Sequence, residues 1–259
     1  MNALRRLVGA PGWVLSLWLL ELALVAWNAA APRAIANTAM GRHAALGTDR
    51  WLSVLIDVGF DHPELVVAAL GTLAQTGIVA LLGWVLLASP TIVRLSKRDT
   101  FTHVMAIALP HVPGLVVTSL WHVLLRAVLL AIVVMAALPL PPWAQVCSLA
   151  IALAFSNVAL DLARVRVVLR EAPRFHIRTA WLGFRDALTH AKLLTAGMAL
   201  SLAQGCFVAA MVWIALAGLG SSWLLLVARG MALVVVVLGL WRIALAVEVT
   251  EPPREPPTS

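Results

Sequence analysis

Five residues in the first and third apolar stretches carry the side chains from which chemistry inside a membrane could be built. Along 111–126, His111, Thr118, His122 and Arg126 fall within about 80° of one another at 100° per residue, so a helix places them in one polar stripe. Arg126 stands near the middle of the apolar stretch 112–138, and Glu21 near the middle of 12–31. An ionised group at such a depth is costly unless it is paired or hydrated, which leads to an expected Glu21–Arg126 ion pair. In structural terms such a pair fixes how two helices pack. In functional terms the stripe is a polar path for a proton, an ion or a small solute, or a pocket for a lipid headgroup.

A second group lies in "DLARVRVVLR" (161–170), where a long apolar run ends in arginines. Asp161 and Arg164 are one helical turn apart and can pair. Arg164, Arg166 and Arg170 read first as the solvated basic end of a span, and second as contacts for lipid headgroups. A third group is Gly197, Ser201 and Gly205, small residues at four-residue spacing that allow two helices to approach closely. Asn28, Gln75 and Asn157 are expected to form hydrogen bonds between helices, with Gln204 near the side of the small-residue stripe. Motifs of catalysis are missing: the sequence holds no HExxH, no GxSxG and no Walker loop, so no catalytic, cofactor or metal residues are assigned. His43, Asp57, Asp61 and His62 match no ligand spacing, and "DHPE" (61–64) suits the start of a helix. Cys147 and Cys206 lie singly in apolar runs and read as small hydrophobes.

The elements that must position these residues follow from composition. The chain is 62% hydrophobic and 12% charged, about half the charge of an ordinary soluble domain. Six apolar runs, near 12–31, 64–88, 112–138, 143–163, 191–218 and 222–246, are long enough to cross about 30 Å of hydrocarbon as helices. The expected fold is therefore an all-α polytopic transmembrane bundle, six spans arranged as three helical hairpins. It forms one domain over 1–247, followed by a disordered proline-rich tail at 248–259. Short amphipathic segments at 98–109 and 178–190 read as interfacial helices, with Trp181 and Phe184 as anchors. Another such helix is expected on the outer surface within 32–63.

Charge sets the orientation. Of the 19 lysines and arginines, only Arg33, Arg42 and Arg50 fall on the side away from the termini, while Arg126 and Arg229 lie within spans. The positive-inside rule then places both termini in the cytoplasm. The net charge of +7 sits between apolar runs, which points to anionic headgroups rather than nucleic acid.

The order of "DRWLSVLIDVGFD" (49–61), "DLARVR" (161–166) and "FRDALTHAK" (184–192) resembles a set of uncharacterised bacterial six-span inner-membrane proteins. These carry an Asp-(Tyr/Leu)-Ala-Arg-Val-Arg signature at the end of the fourth span. Ala191 and Lys192 stand where that family has Pro-Gly after a histidine. More distantly, the helical plan resembles the membrane domain found beside some glycerophosphodiester phosphodiesterases. The resemblance implies a fold and a bacterial cytoplasmic membrane, and no chemistry. The function expected is a non-catalytic accessory or scaffold subunit that packs against a membrane-protein partner or its own copies, or organises lipid. The alternatives are a small permease using the polar stripe and an intramembrane enzyme acting on lipid.

Overall fold

The computed structural model describes residues 2–20, 85–96, 101–169, 177–217 and 222–250, with residues 22, 23, 67, 71 and 83 besides. The chain divides into two compact units, Met1–Trp18 with Val85–Ser259, and Leu19–Trp84. The architecture below is that of the first. Outside the described residues lie Glu21, Asn28, Gln75, Arg170, the candidate metal ligands at 43, 57, 61 and 62, the 32–63 segment and most of the first two expected spans.

The fold is all-α, and no strand occurs among the described residues. In chain order the helices are α1 (Asn2–Val8), α2 (Pro11–Leu20), α3 (Val85–Ser96), α4 (Phe101–Ala108), α5 (Val112–Ala137), α6 (Pro142–Leu169), α7 (Ile177–Thr189), α8 (Ala191–Ala217) and α9 (Ser222–Thr250). Four stretches are long and apolar enough to cross a membrane: Thr102–Ala137, Pro142–Leu169, Ala191–Met211 and Arg229–Thr250.

Proline punctuates the helix starts. Pro110 and Pro113 sit where a short 3-10 turn, Leu109–His111, hands α4 on to α5, so the expected interfacial helix at 98–109 joins the following span as one continuous length. Pro142 opens α6 at a position where its missing N–H removes no intrahelical bond. Gln145 Nε2 turns back to donate to the carbonyl oxygens of Leu138 and Leu140, at 3.3 and 2.9 Å, and so caps the α5–α6 hairpin.

α6 is the central post, packing against α5, α7, α8 and α9. Alanines and a serine (Ala152, Ala154, Ser156, Ala159, Ala163) supply its buried positions, and such small side chains allow close approach from several sides. Burial is lopsided. From Asp161 to Val168 α6 is buried nearly all round, whereas its first turns are open and apolar. α5 follows the same rule in reverse: Gly114, Leu115, Thr118, Ser119 and His122 are buried, while Leu124, Val128, Ile132 and Met135 are exposed. The core therefore gathers at the end of the bundle marked by the start of α5 and the end of α6. There Val85, Ile92, Val93, Val104, Leu162, Val165 and Val247 join one cluster. A second, smaller cluster joins Leu7 and Leu17 to Val236 and Leu240 of α9.

Three sequence expectations change. α6 runs through Leu169 rather than ending near 163, so "ARVRVVL" is helix and core and not an exit into water. α9 continues to Thr250, and Glu248, placed in the tail by sequence, accepts a hydrogen bond from the Ala3 amide at 2.9 Å. In α7, Trp181 is 60% exposed, as an anchor would be, but Phe184 is buried in the core.

Candidate functional site

The polar side chains of the described bundle concentrate at that same buried end. From α5, the stripe foreseen in sequence is present: His111, Thr118 and His122 are all buried, and Arg126 is half-buried one turn further on. His122 is 1% exposed. Its Nε2 shares a hydrogen bond of 3.0 Å with Ser156 Oγ of α6, and its ring stacks on Phe184 of α7 at 5.0 Å between centroids and 11° between planes. Phe155 also meets Phe184, at a tilt. His122 Nδ1 has no hydrogen-bond partner. The stripe is thus packed between helices, with one aromatic lid that no sequence signal announced.

The arginines of α6 turn inward. Arg164, expected at a solvated end, is 8% exposed. Its Nη2 donates to Ser119 Oγ at 3.4 Å, and its Nε is buried without a partner. Arg166 pairs with Asp186 of α7. Asp161, 2% exposed, pairs with Arg242 of α9 rather than with Arg164 one turn along. Arg242 Nη1 also donates to Gln204 Oε1 of α8 at 3.0 Å. One carboxylate thereby ties α6, α8 and α9 together. The i,i+3 pair suggested by sequence gives way to one between helices, in which Arg242 Nε meets Asp161 Oδ2. A sequence clue existed: Arg242 interrupts the apolar run "LVVVVLGLWRIALAV" (233–247).

These cations are neighbours. Arg126 and Arg164 both lie within electrostatic range of His122, and Arg242 within range of Arg126 and of Arg164. Glu21, the partner expected for Arg126, is among the residues not described.

The small-residue stripe divides. A Cβ on Gly197 would stand 2.8 Å from Val158 Cγ2, so this glycine does let α8 close on α6. Ser201 is buried and accepts from Asn157 Nδ2 at 2.9 Å, the interhelical bond expected of Asn157. Gly205 is the correction: a Cβ there would meet nothing within 4 Å, so the close approach made at Gly197 does not extend this far along α8. The tightest approach is one that the stripe did not include, Gly183 of α7 against the Ala159 carbonyl oxygen. Asn157→Ala is expected to cost about 0.6–1 kcal/mol, the modest value typical of a hydrogen bond between membrane helices. Equilibrium unfolding in mild detergent measures it.

Among the described residues no three His, Cys, Asp or Glu side chains gather as a metal site would require. Cys147 and Cys206 are free and exposed.

Apolar helices of membrane-crossing length, joined by charged and hydroxyl groups buried between them, define a helical membrane protein. No family model, curated protein or solved structure matches the chain.

Proposed function

We propose that this is a non-catalytic accessory or scaffold protein of a bacterial cytoplasmic membrane. It crosses six times with both termini inside, and packs against a partner or organises lipid. The observation that carries this reading is the use made of buried polar groups: Asp161 with Arg242 and Gln204, His122 with Ser156, Arg166 with Asp186, and Asn157 with Ser201 each link one helix to another. Groups spent on cross-ties hold a bundle in one arrangement, as the scaffold reading requires. A permease built on the α5 stripe would need His122 and Thr118 to line a wet path, yet both are packed against neighbouring helices. The concentration of arginines and lysines toward one end supports the inward orientation of that end. Kinship with the six-span bacterial family belongs to the same reading and rests on the "DLARVR" element, whose Asp161 and Arg164 both lie in the core.

Native mass spectrometry of the protein, extracted gently from its own membrane, tests the proposal. The expected result is a second polypeptide or a lipid retained in fixed ratio. A bare monomer, stripped of both under conditions that keep known membrane complexes intact, would overturn it.

A further inference from the structure

Among the described residues, the buried end of the bundle carries more cationic than acidic side chains. Three carboxylates are described: Asp161 pairs with Arg242, Asp186 with Arg166, and Glu248 accepts from the Ala3 amide. Asp161 also lies within electrostatic range of Arg164 without pairing with it, so this one described acid is shared between two guanidiniums. Arg164 is more than nine-tenths buried, holds only one long contact to a hydroxyl, and leaves Nε without an acceptor. A guanidinium in that state is unfavourable, since it has lost its water and gained no hydrogen-bonded anion in exchange, its one acidic neighbour being paired to Arg242.

Depth and donor geometry say what would relieve it. α6 has 28 residues, so it is about 42 Å long and overshoots about 30 Å of hydrocarbon. Arg164 lies five residues before its end, within about 8 Å of the tip. With the overshoot of about 12 Å shared between the two ends, that level is where the hydrocarbon gives way to the phosphates of the leaflet. The planar guanidinium fork suits a phosphate, which accepts two N–H bonds side by side. Ser119 Oγ, which accepts from Arg164, keeps its own proton to donate. Exposed Arg178, Arg185 and Lys192 on α7 and at the start of α8 add a cationic rim that draws anions to this region.

We propose that Arg164, assisted by Ser119 and by the nearby charge of Arg242, holds the phosphate group of an anionic ligand reached from the inner leaflet. The inference rests on the membrane reading above and gives its lipid-organising branch a site. It stands or falls separately from the existence of a protein partner, which the mass of the native complex reads directly.

The test uses the full chain in lipid discs of phosphatidylcholine alone, and in discs of equal parts phosphatidylcholine and phosphatidylglycerol. After exchange into detergent, wild-type protein is expected to retain phosphatidylglycerol over phosphatidylcholine by about tenfold, one factor of ten in binding constant. Arg164→Gln is expected to bring that ratio to near parity, whereas Arg229→Gln, which removes an exposed charge near the start of α9, leaves it unchanged. Inorganic phosphate is the second probe. A saturable rise in unfolding temperature with phosphate in phosphatidylcholine discs, lost in Arg164→Gln, identifies a free phosphate as the source and equally supports the site. Parity in the wild type with no response to phosphate overturns the proposal, as does undiminished preference in Arg164→Gln. Stability in phosphatidylcholine discs is a further check. Removing a buried cation that shares its one acidic neighbour with Arg242 should leave Arg164→Gln at least as stable there as wild type. A marked loss of stability would show that Arg164 is already balanced within the protein, and would also overturn it.

Discussion

Asp161→Ala is expected to destabilise the protein by about 3–5 kcal/mol, the usual cost of breaking a buried ion pair by removing one partner. The carboxylate is 2% exposed and pairs with Arg242, with Arg126 and Arg164 also within electrostatic range of that arginine. Removing it leaves three guanidiniums together at a buried site with no described acid among them. Arg242→Ala should cost less than Asp161→Ala, because it lowers the surplus and leaves Asp161 near Arg164. That ordering separates this account from one in which each ion pair is a private matter between two residues. Replacing both partners together, Asp161→Leu with Arg242→Met, should recover most of the loss, since apolar groups of similar size need no solvation. Urea unfolding in mild detergent, followed by helix content, measures all three. Equal costs for the two single changes, with no recovery in the double, would mean that the arginine cluster is balanced by other groups.

Much of the bundle was legible because a bilayer leaves the chain few options. Hydropathy alone marks the last four apolar runs, and α5, α8 and the start of α9 fall within a residue of their expected limits. The miss at the end of α6 has one cause. Arginine in a sequence is a marker of water, and hydropathy cannot register that Ser119, on another helix, and Asp186, twenty residues on, meet Arg164 and Arg166 within the bundle. His111, Thr118 and His122 were legible as a stripe, since helical periodicity brings them to one face. Their neighbours were not. Ser156 and Phe184 come from α6 and α7, and nothing in periodicity specifies which helices will face each other. The same limit hid Arg242 as the partner of Asp161: the local choice, Arg164, is visible in sequence and the distant one is not.

Gly183→Ala is expected to be the most damaging of the glycine substitutions, at about 3 kcal/mol, the upper end of the cost of overpacking. A Cβ there would stand 2.3 Å from the Ala159 carbonyl oxygen and 2.9 Å from Ala163 Cβ. Neither obstacle can swing aside, because one is backbone and the other is itself a β-carbon. α7 must therefore lift off α6, which loosens Phe184 from His122 and strains the Arg166–Asp186 pair. Gly197→Ala meets a softer obstacle: the contact at 2.8 Å is a methyl group of Val158, which gives by a rotation or a small shift of α8, and about 1 kcal/mol is expected. Gly205→Ala meets nothing within 4 Å and should stabilise the helix by about 0.5–1 kcal/mol, the gain from replacing glycine by alanine at an open helical position. The same unfolding assay ranks the three. Spacing alone would make Gly197 and Gly205 equivalent and leave Gly183 unremarked. The close approach of α7 to α6 reverses that order, and a loss at Gly205 as large as at Gly183 would show that α8 is closely packed at Gly205 as well.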